Sequence, residues 1–103
     1  MFDVRQTAAF RDWLSGLADR RGAKRIAIRI ARLQSGLFGD AKSVGGRVSE
    51  LRIDSGPGYR VYFVQQGRTV IVLLCGGDKG SQARDIRRAQ TMAKDLKESG
   101  FDD

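Results

Sequence analysis

The sequence predicts an α+β domain: a small antiparallel β-sheet with two N-terminal helices and a C-terminal helix, in the order β-α-α-β-β-β-α. Three observations predict it. Apolar residues recur at helical spacing in three separate stretches. Three consecutive runs rich in β-branched and aromatic residues lie between residues 47 and 75. Short glycine-containing turns separate those runs, and such short connections join antiparallel neighbours only. The chain of 103 residues suits one domain, read as 1–103, with no repeat, linker or low-complexity segment.

Taken in order, residues 2–6 alternate apolar and polar around Phe2 and Val4 and read as a first strand. Thr7 is a suitable N-cap for a helix over 8–18, where Phe10, Trp13, Leu14 and Leu17 form one buried stripe; Trp13 reads as core. A second helix spans 21–35 and stops at Gly36, with Ile26, Ile30 and Leu33 inward and Arg21, Arg25, Arg29 and Arg32 along a flank that carries no acid. Residues 36–47, with four glycines, read as a loop. Strands are expected over 47–54, 59–66 and 68–75, the first two joined by Ser55-Gly56-Pro57-Gly58, with Pro57 and Gly58 at the centre of a type II turn. Ser81 is the expected cap of a last helix over 82–98, with Ala83, Ile86, Ala89 or Gln90, and Ala93 as its stripe, and Gly100 onward as a frayed tail. All helices are expected on one face of the sheet.

Charge is the strongest compositional feature. The chain carries 19 Lys+Arg against 12 Asp+Glu, a net charge of +7, and no histidine. Residues 20–79 hold twelve of the basic residues and only four of the acids, so the middle of the chain carries the whole surplus. A concentrated positive field attracts polyanions, nucleic acid foremost; the alternative is a solvated basic surface with no ligand. The absence of histidine excludes His-based triads, Cys–His nucleophiles and HExxH zinc sites, and a lone Cys75 excludes an internal disulfide and Cys-rich metal sites. No metal or cofactor is expected. Early charges at Asp3 and Arg5 argue against a signal peptide, and the longest apolar run, 70–75, is too short to span a bilayer, so a cytoplasmic location is expected.

Strand alternation puts Glu50 and Arg52 on the face opposite Leu51 and Ile53, and Arg60 and Tyr62 opposite Tyr59, Val61 and Phe63. A hairpin closing around Gly56 sets Arg52 across from Arg60 and Glu50 across from Tyr62. Two arginines in that relation repel and weaken a sheet. Either an anion such as a phosphate sits between them, matched by their bidentate donors, or Glu50 neutralises both. Lys42 and Lys79 lie on glycine-flanked segments beside these strands.

The runs Val48-Ser49-Glu50-Leu51-Arg52-Ile53, Gly56-Pro57-Gly58-Tyr59-Arg60-Val61-Tyr62-Phe63 and Gly76-Gly77-Asp78-Lys79-Gly80-Ser81-Gln82, preceded by 37–45, resemble the RelE/ParE toxin superfamily, and within it the HigB-like addiction module killer proteins. The resemblance covers nearly the whole chain in order. It implies a toxin of a type II toxin–antitoxin system, a ribosome-dependent endoribonuclease (mRNA interferase). Its implied partners are ribosome-bound mRNA, a cognate helix-turn-helix antitoxin, and operator DNA for the toxin–antitoxin complex. It makes Arg60 and Lys79 the phosphate-holding residues; from the residues themselves Arg52 is expected beside them, Lys42, Glu50 and Tyr62 are candidates for orientation or acid–base work, and the basic flank of Arg21, Arg25, Arg29 and Arg32 is a candidate for RNA binding. The ParE arm of the superfamily poisons DNA gyrase, and a non-enzymatic nucleic-acid-binding module is a further alternative. Many of these nucleases carry a Tyr or His near the start of the final helix; here the stretch is Gln82-Ala83-Arg84-Asp85-Ile86, with Asp85 the one acid available.

Overall fold

The computed structural model describes residues 1–98 and is α+β. Its elements are β1 (Asp3–Gln6), α1 (Ala8–Ser15), α2 (Arg20–Gln34), β2 (Ala41–Gly45), β3 (Val48–Ile53), β4 (Tyr59–Gln66), β5 (Val70–Asp78), a 3-10 turn over Lys79–Ser81, and α3 (Gln82–Glu98). The expected tail from Gly100 lies outside the described residues. One sheet runs in the order β1-β5-β4-β3-β2; β2 to β5 form an antiparallel meander and β1 joins β5 in parallel. Among the described residues, no helix is long and apolar enough to cross a membrane.

The helices cover both faces of this sheet, not one. Leu51, Ile53, Val61, Phe63, Ile71 and Leu73 pack with Phe10 of α1 and Ile26, Ile30 and Leu33 of α2. On the reverse face Val48, Tyr62, Val64, Val72, Leu74 and Cys75 pack with Ala89 and Ala93 of α3. The signal was present in the unbroken apolar runs 61–64 and 70–75, because a strand buried on both faces loses its alternation. Trp13 sits in the first layer, as read, edge-on to Tyr59 at 6.2 Å between ring centroids.

Local chemistry sets the element ends. Thr7 caps α1 by accepting from Phe10 N at 3.0 Å, and its hydroxyl donates to Leu74 O at 2.6 Å, at a bulge where β5 carries one extra residue against β4. The first helix stops at Ser15 instead of Ala18, because Gly16 is a poor helix former and Asp19 already caps α2. Asp19 accepts from Gly22 N and from the Tyr59 hydroxyl, and these bonds hold its carboxyl below the ordinary value.

Three expectations fail locally. Residues 41–45 form edge strand β2, not loop: the short run draws its stability from pairing with β3 rather than from its own propensity. The β3–β4 turn closes one residue early, with Gly58 N donating to Ser55 O at 2.9 Å and Gly56 at φ 52°, so Gly56-Pro57 occupy the centre. The last helix keeps its predicted bounds, but Asp78 caps the 3-10 turn ahead of it in a capping box with Ser81, and Ala83 is exposed while Asp85 turns inward.

Strand β5 runs past Cys75 through Gly76 and Gly77, which face opposite layers. A side chain on Gly76 would run into the Trp13 ring, and one on Gly77 into the Asp85 carboxylate. The glycine pair is therefore a packing requirement on both sides of one strand. Gly76→Ala is expected to lower the unfolding free energy by about 1–3 kcal/mol through overpacking, read as a shifted urea midpoint at unchanged slope; an unshifted midpoint would contradict the tight Trp13 contact.

Candidate functional site

The β3–β4 register pairs Arg52 with Arg60 and Glu50 with Tyr62, as the sequence predicts. These side chains share the α3 face, and near the hairpin end the sheet opens into a cleft of about 330 Å³ lined by Asp40, Arg52, Ile53, Asp54, Gly58, Arg60 and Lys79. Lys79 reaches it because β5 pairs Asp78 with Tyr59, so the 3-10 turn begins directly beside the β3–β4 hairpin. Three cations from three elements thus converge on one opening.

Each arginine of the pair has its own acid. Arg52 is bound to Asp40 on the outer edge, with Nε and Nη2 both 3.2 Å from Oδ1. Arg60 lies over Glu50, its Nε 3.7 Å from Oε1. Glu50 therefore neutralises one arginine, not two, and the cross-strand repulsion is divided between a surface carboxylate and a buried one. The Asp40 pair is exposed and contributes about 0–1 kcal/mol, so an incoming anion displaces it at little cost. Lys79 is exposed, with no ion pair among the described residues.

Other predicted site residues lie elsewhere. Lys42 is the backbone partner of Glu50, yet its exposed side chain lines a separate hollow of about 360 Å³ with Phe38, Arg47 and Phe63. Glu50 and Tyr62 have no exposed surface, so neither touches a ligand held in the cleft. Burial first, then the charges of Glu50 and Asp85, raises the Tyr62 hydroxyl well above its ordinary value, which disqualifies it as a base near neutral pH. Asp85 is also buried; it accepts from the Ser81 hydroxyl over Gly77 and does not line the cleft.

Sequence reasoning missed the part played by Gln82, whose Nε2 donates to Glu50 Oε1 at 2.7 Å. Its signal was its place in the Gly76–Gln82 run, but a glutamine five residues beyond the Gly76-Gly77 pair has no pattern that points to a buried carboxylate on another strand. Glu50 Oε2, Arg60 Nε and the Tyr62 hydroxyl are enclosed without a hydrogen-bond partner.

The second basic surface lies along α2. Arg21, Lys24, Arg25, Ile28, Arg29, Arg32, Ile53 and Asp54 line a groove of about 620 Å³. Arg29 departs from the expected role: its guanidinium donates to Arg52 O at 2.6 Å and Phe38 O at 3.0 Å, tying α2 to the β2–β3 edge. The groove and the cleft share Ile53 and Asp54, so the two basic surfaces meet at the end of β3.

A curated protein of Haemophilus influenzae (strain ATCC 51907 / DSM 11121 / KW20 / Rd), described as "Uncharacterized protein", is 48% identical over 93 residues, covering 90% of this chain and 94% of its own length. The chain belongs to the same family as that protein. No family profile matches the sequence.

Behind the site, burial first and the neighbouring Asp85 charge together push the Cys75 thiol up to about 11, with Arg88 opposing. The thiol is 1% exposed and stays protonated below that pH. Ellman's reagent at pH 8 is expected to leave the native protein unmodified and to titrate one thiol in urea; rapid reaction without denaturant would contradict the closed α3 layer.

Proposed function

We propose that the protein is a RelE/ParE-type toxin of the HigB-like branch, a cytoplasmic endoribonuclease that cuts ribosome-bound mRNA. A cognate helix-turn-helix antitoxin would neutralise it. The observation that carries this reading is the convergence of Arg52, Arg60 and Lys79 on one open cleft. In a chain without histidine, catalysis of phosphodiester cleavage falls to cations that stabilise the dianionic phosphorane.

In this reaction the ribose 2′-oxygen forms a bond to the adjacent phosphorus and the bond from phosphorus to the 5′-oxygen breaks. The 2′-hydroxyl gives its proton to solvent water, which reaches the open cleft, and the departing oxygen gains one. Arg60, backed by Glu50, holds the non-bridging oxygens, and Arg52 joins after releasing Asp40. Lys79 is the lining cation with a transferable proton, since arginine does not deprotonate. It is the group suited to protonate the leaving oxygen. Alignment of the 2′-hydroxyl falls to the ribosome, which holds mRNA in a fixed geometry.

Induced without its antitoxin, the chain is expected to generate new codon-linked mRNA 5′ ends. Intact transcripts on undisturbed polysomes would refute the reading, and cleaved DNA with an SOS response would point to gyrase. Arg60→Ala is expected to abolish toxicity while keeping the wild-type circular dichroism spectrum; equal toxicity at equal expression would remove Arg60 from the site. Replacing Arg21, Arg25 and Arg32 by Ala is expected to weaken ribosome binding and flatten its salt dependence by roughly 0.7 in log–log slope per lost phosphate contact; an unchanged slope would exclude the α2 groove from RNA binding.

A further inference from the structure

The buried end of Arg60 is arranged in a way that stability alone does not explain. Glu50 has no exposed surface, and only one of its two oxygens accepts a hydrogen bond. A half-satisfied buried carboxylate weakens a fold relative to an apolar residue of the same shape. What the carboxylate does accomplish is directional. Gln82 Nε2 grips Oε1 at 2.7 Å, and the same oxygen lies 3.7 Å from Arg60 Nε. Arg60 Nη1 is held at 3.2 Å by each of the carbonyls of Gly58 and Tyr59. One guanidinium nitrogen, Nη1, is thus hydrogen-bonded from behind and Nε faces the carboxylate at ion-pair range, while Nη2 has no hydrogen bond among the described residues. The side chain keeps 11% of its surface exposed, and it lines the cleft.

We infer that Glu50 is the positioning residue for Arg60: fixed by Gln82 from α3, it holds the guanidinium so that the Nη2 side faces the scissile phosphate, and thereby serves turnover rather than RNA affinity. The inference rests on the reading of the cleft as the place of RNA cleavage. Glu50 touches no substrate and exchanges no proton with it. The arrangement gives Gln82 a role at a distance, since the first turn of α3 sets the carboxylate that sets the arginine.

Glu50→Gln removes the charge and keeps the shape. Its effect is read in two ways: kcat and KM for cleavage of mRNA on programmed ribosomes, and the Arg60 Nε–H resonance in the free protein. The expected result is a KM within about twofold of wild type and a kcat lower by roughly 10- to 100-fold, the scale of loss when a reacting group is misplaced by about an ångström. The Nε–H signal is expected to shift and exchange faster. Glu50→Asp is expected to restore part of kcat, and Gln82→Ala to lower it by a smaller factor. Glu50→Gln turning over at the wild-type rate, raising KM alone, or losing rate only in proportion to its unfolded fraction would overturn the inference. If Glu50→Gln does not fold, Gln82→Ala decides by the same split, because it leaves the carboxylate charged. Wild-type protein that leaves ribosome-bound mRNA intact overturns the cleavage reading and this role with it, while the Nε–H signal still shows whether Glu50 and Arg60 are paired.

Discussion

Burial of both faces of β4 and β5 is the constraint from which the other features follow. These two strands form the middle of the sheet, with α1 and α2 on one side and α3 on the other. Side chains pointing either way must then be apolar, absent, or polar with a dedicated partner. Val61 to Val64 and Ile71 to Cys75 satisfy the first condition, and Gly76 and Gly77 the second. The Tyr62 hydroxyl and the Gln66 amide on β4 meet the third only in part, and Glu50, on the adjacent strand, is the charged exception that does the same.

That exception separates the two ends of the α3 face. Toward β5 and the middle of α3 the layer is closed and apolar, with Val72 and Leu74 packed under the small side chains of Ala89 and Ala93. Toward the β3–β4 hairpin the cover ends, and Arg52, Arg60 and Lys79 meet solvent in the cleft. Glu50 and Gln82 sit at the boundary, where a charge is desolvated enough to act strongly on a neighbour yet close enough to reach one that faces water. The cations themselves follow a division of work. Arg52 and Arg60 each have an acid, Arg29 donates to backbone carbonyls, and Lys79 is exposed with no ion pair among the described residues. Counting basic residues therefore overstates the charge available to a polyanion, and the location of each acid corrects the count.

Much of the fold was legible because its signals are local. Helical spacing located α2 and α3 to within a residue, and Thr7 capped α1 as read. The tight turn around Gly56 set the register that places Arg52 opposite Arg60 even though its hydrogen bond closes one residue early. Edge strand β2 was not legible, because its residues have little strand propensity and the pairing that forms it belongs to β3. The candidate site divides the same way. Arg52, Arg60 and Lys79 were identifiable from alternation and chain order. Lys42 was assigned to the cleft on proximity in sequence, and its side chain lies in another hollow.

By itself the sequence determined the α+β class, the β3–β4 register, and the concentration of positive charge in residues 20–79, since each depends on residues near one another along the chain. Only the tertiary structure decided that α3 takes the face opposite α1 and α2, that Glu50 and Tyr62 are sealed beneath it, and that Gln82 and Arg29 act on strands far away in sequence. Those outcomes depend on which apolar surface each helix finds to bury. The choice is made among non-local contacts, and it alone turns a run of exposed-looking charges into one buried carboxylate beside one arginine at the mouth of a cleft.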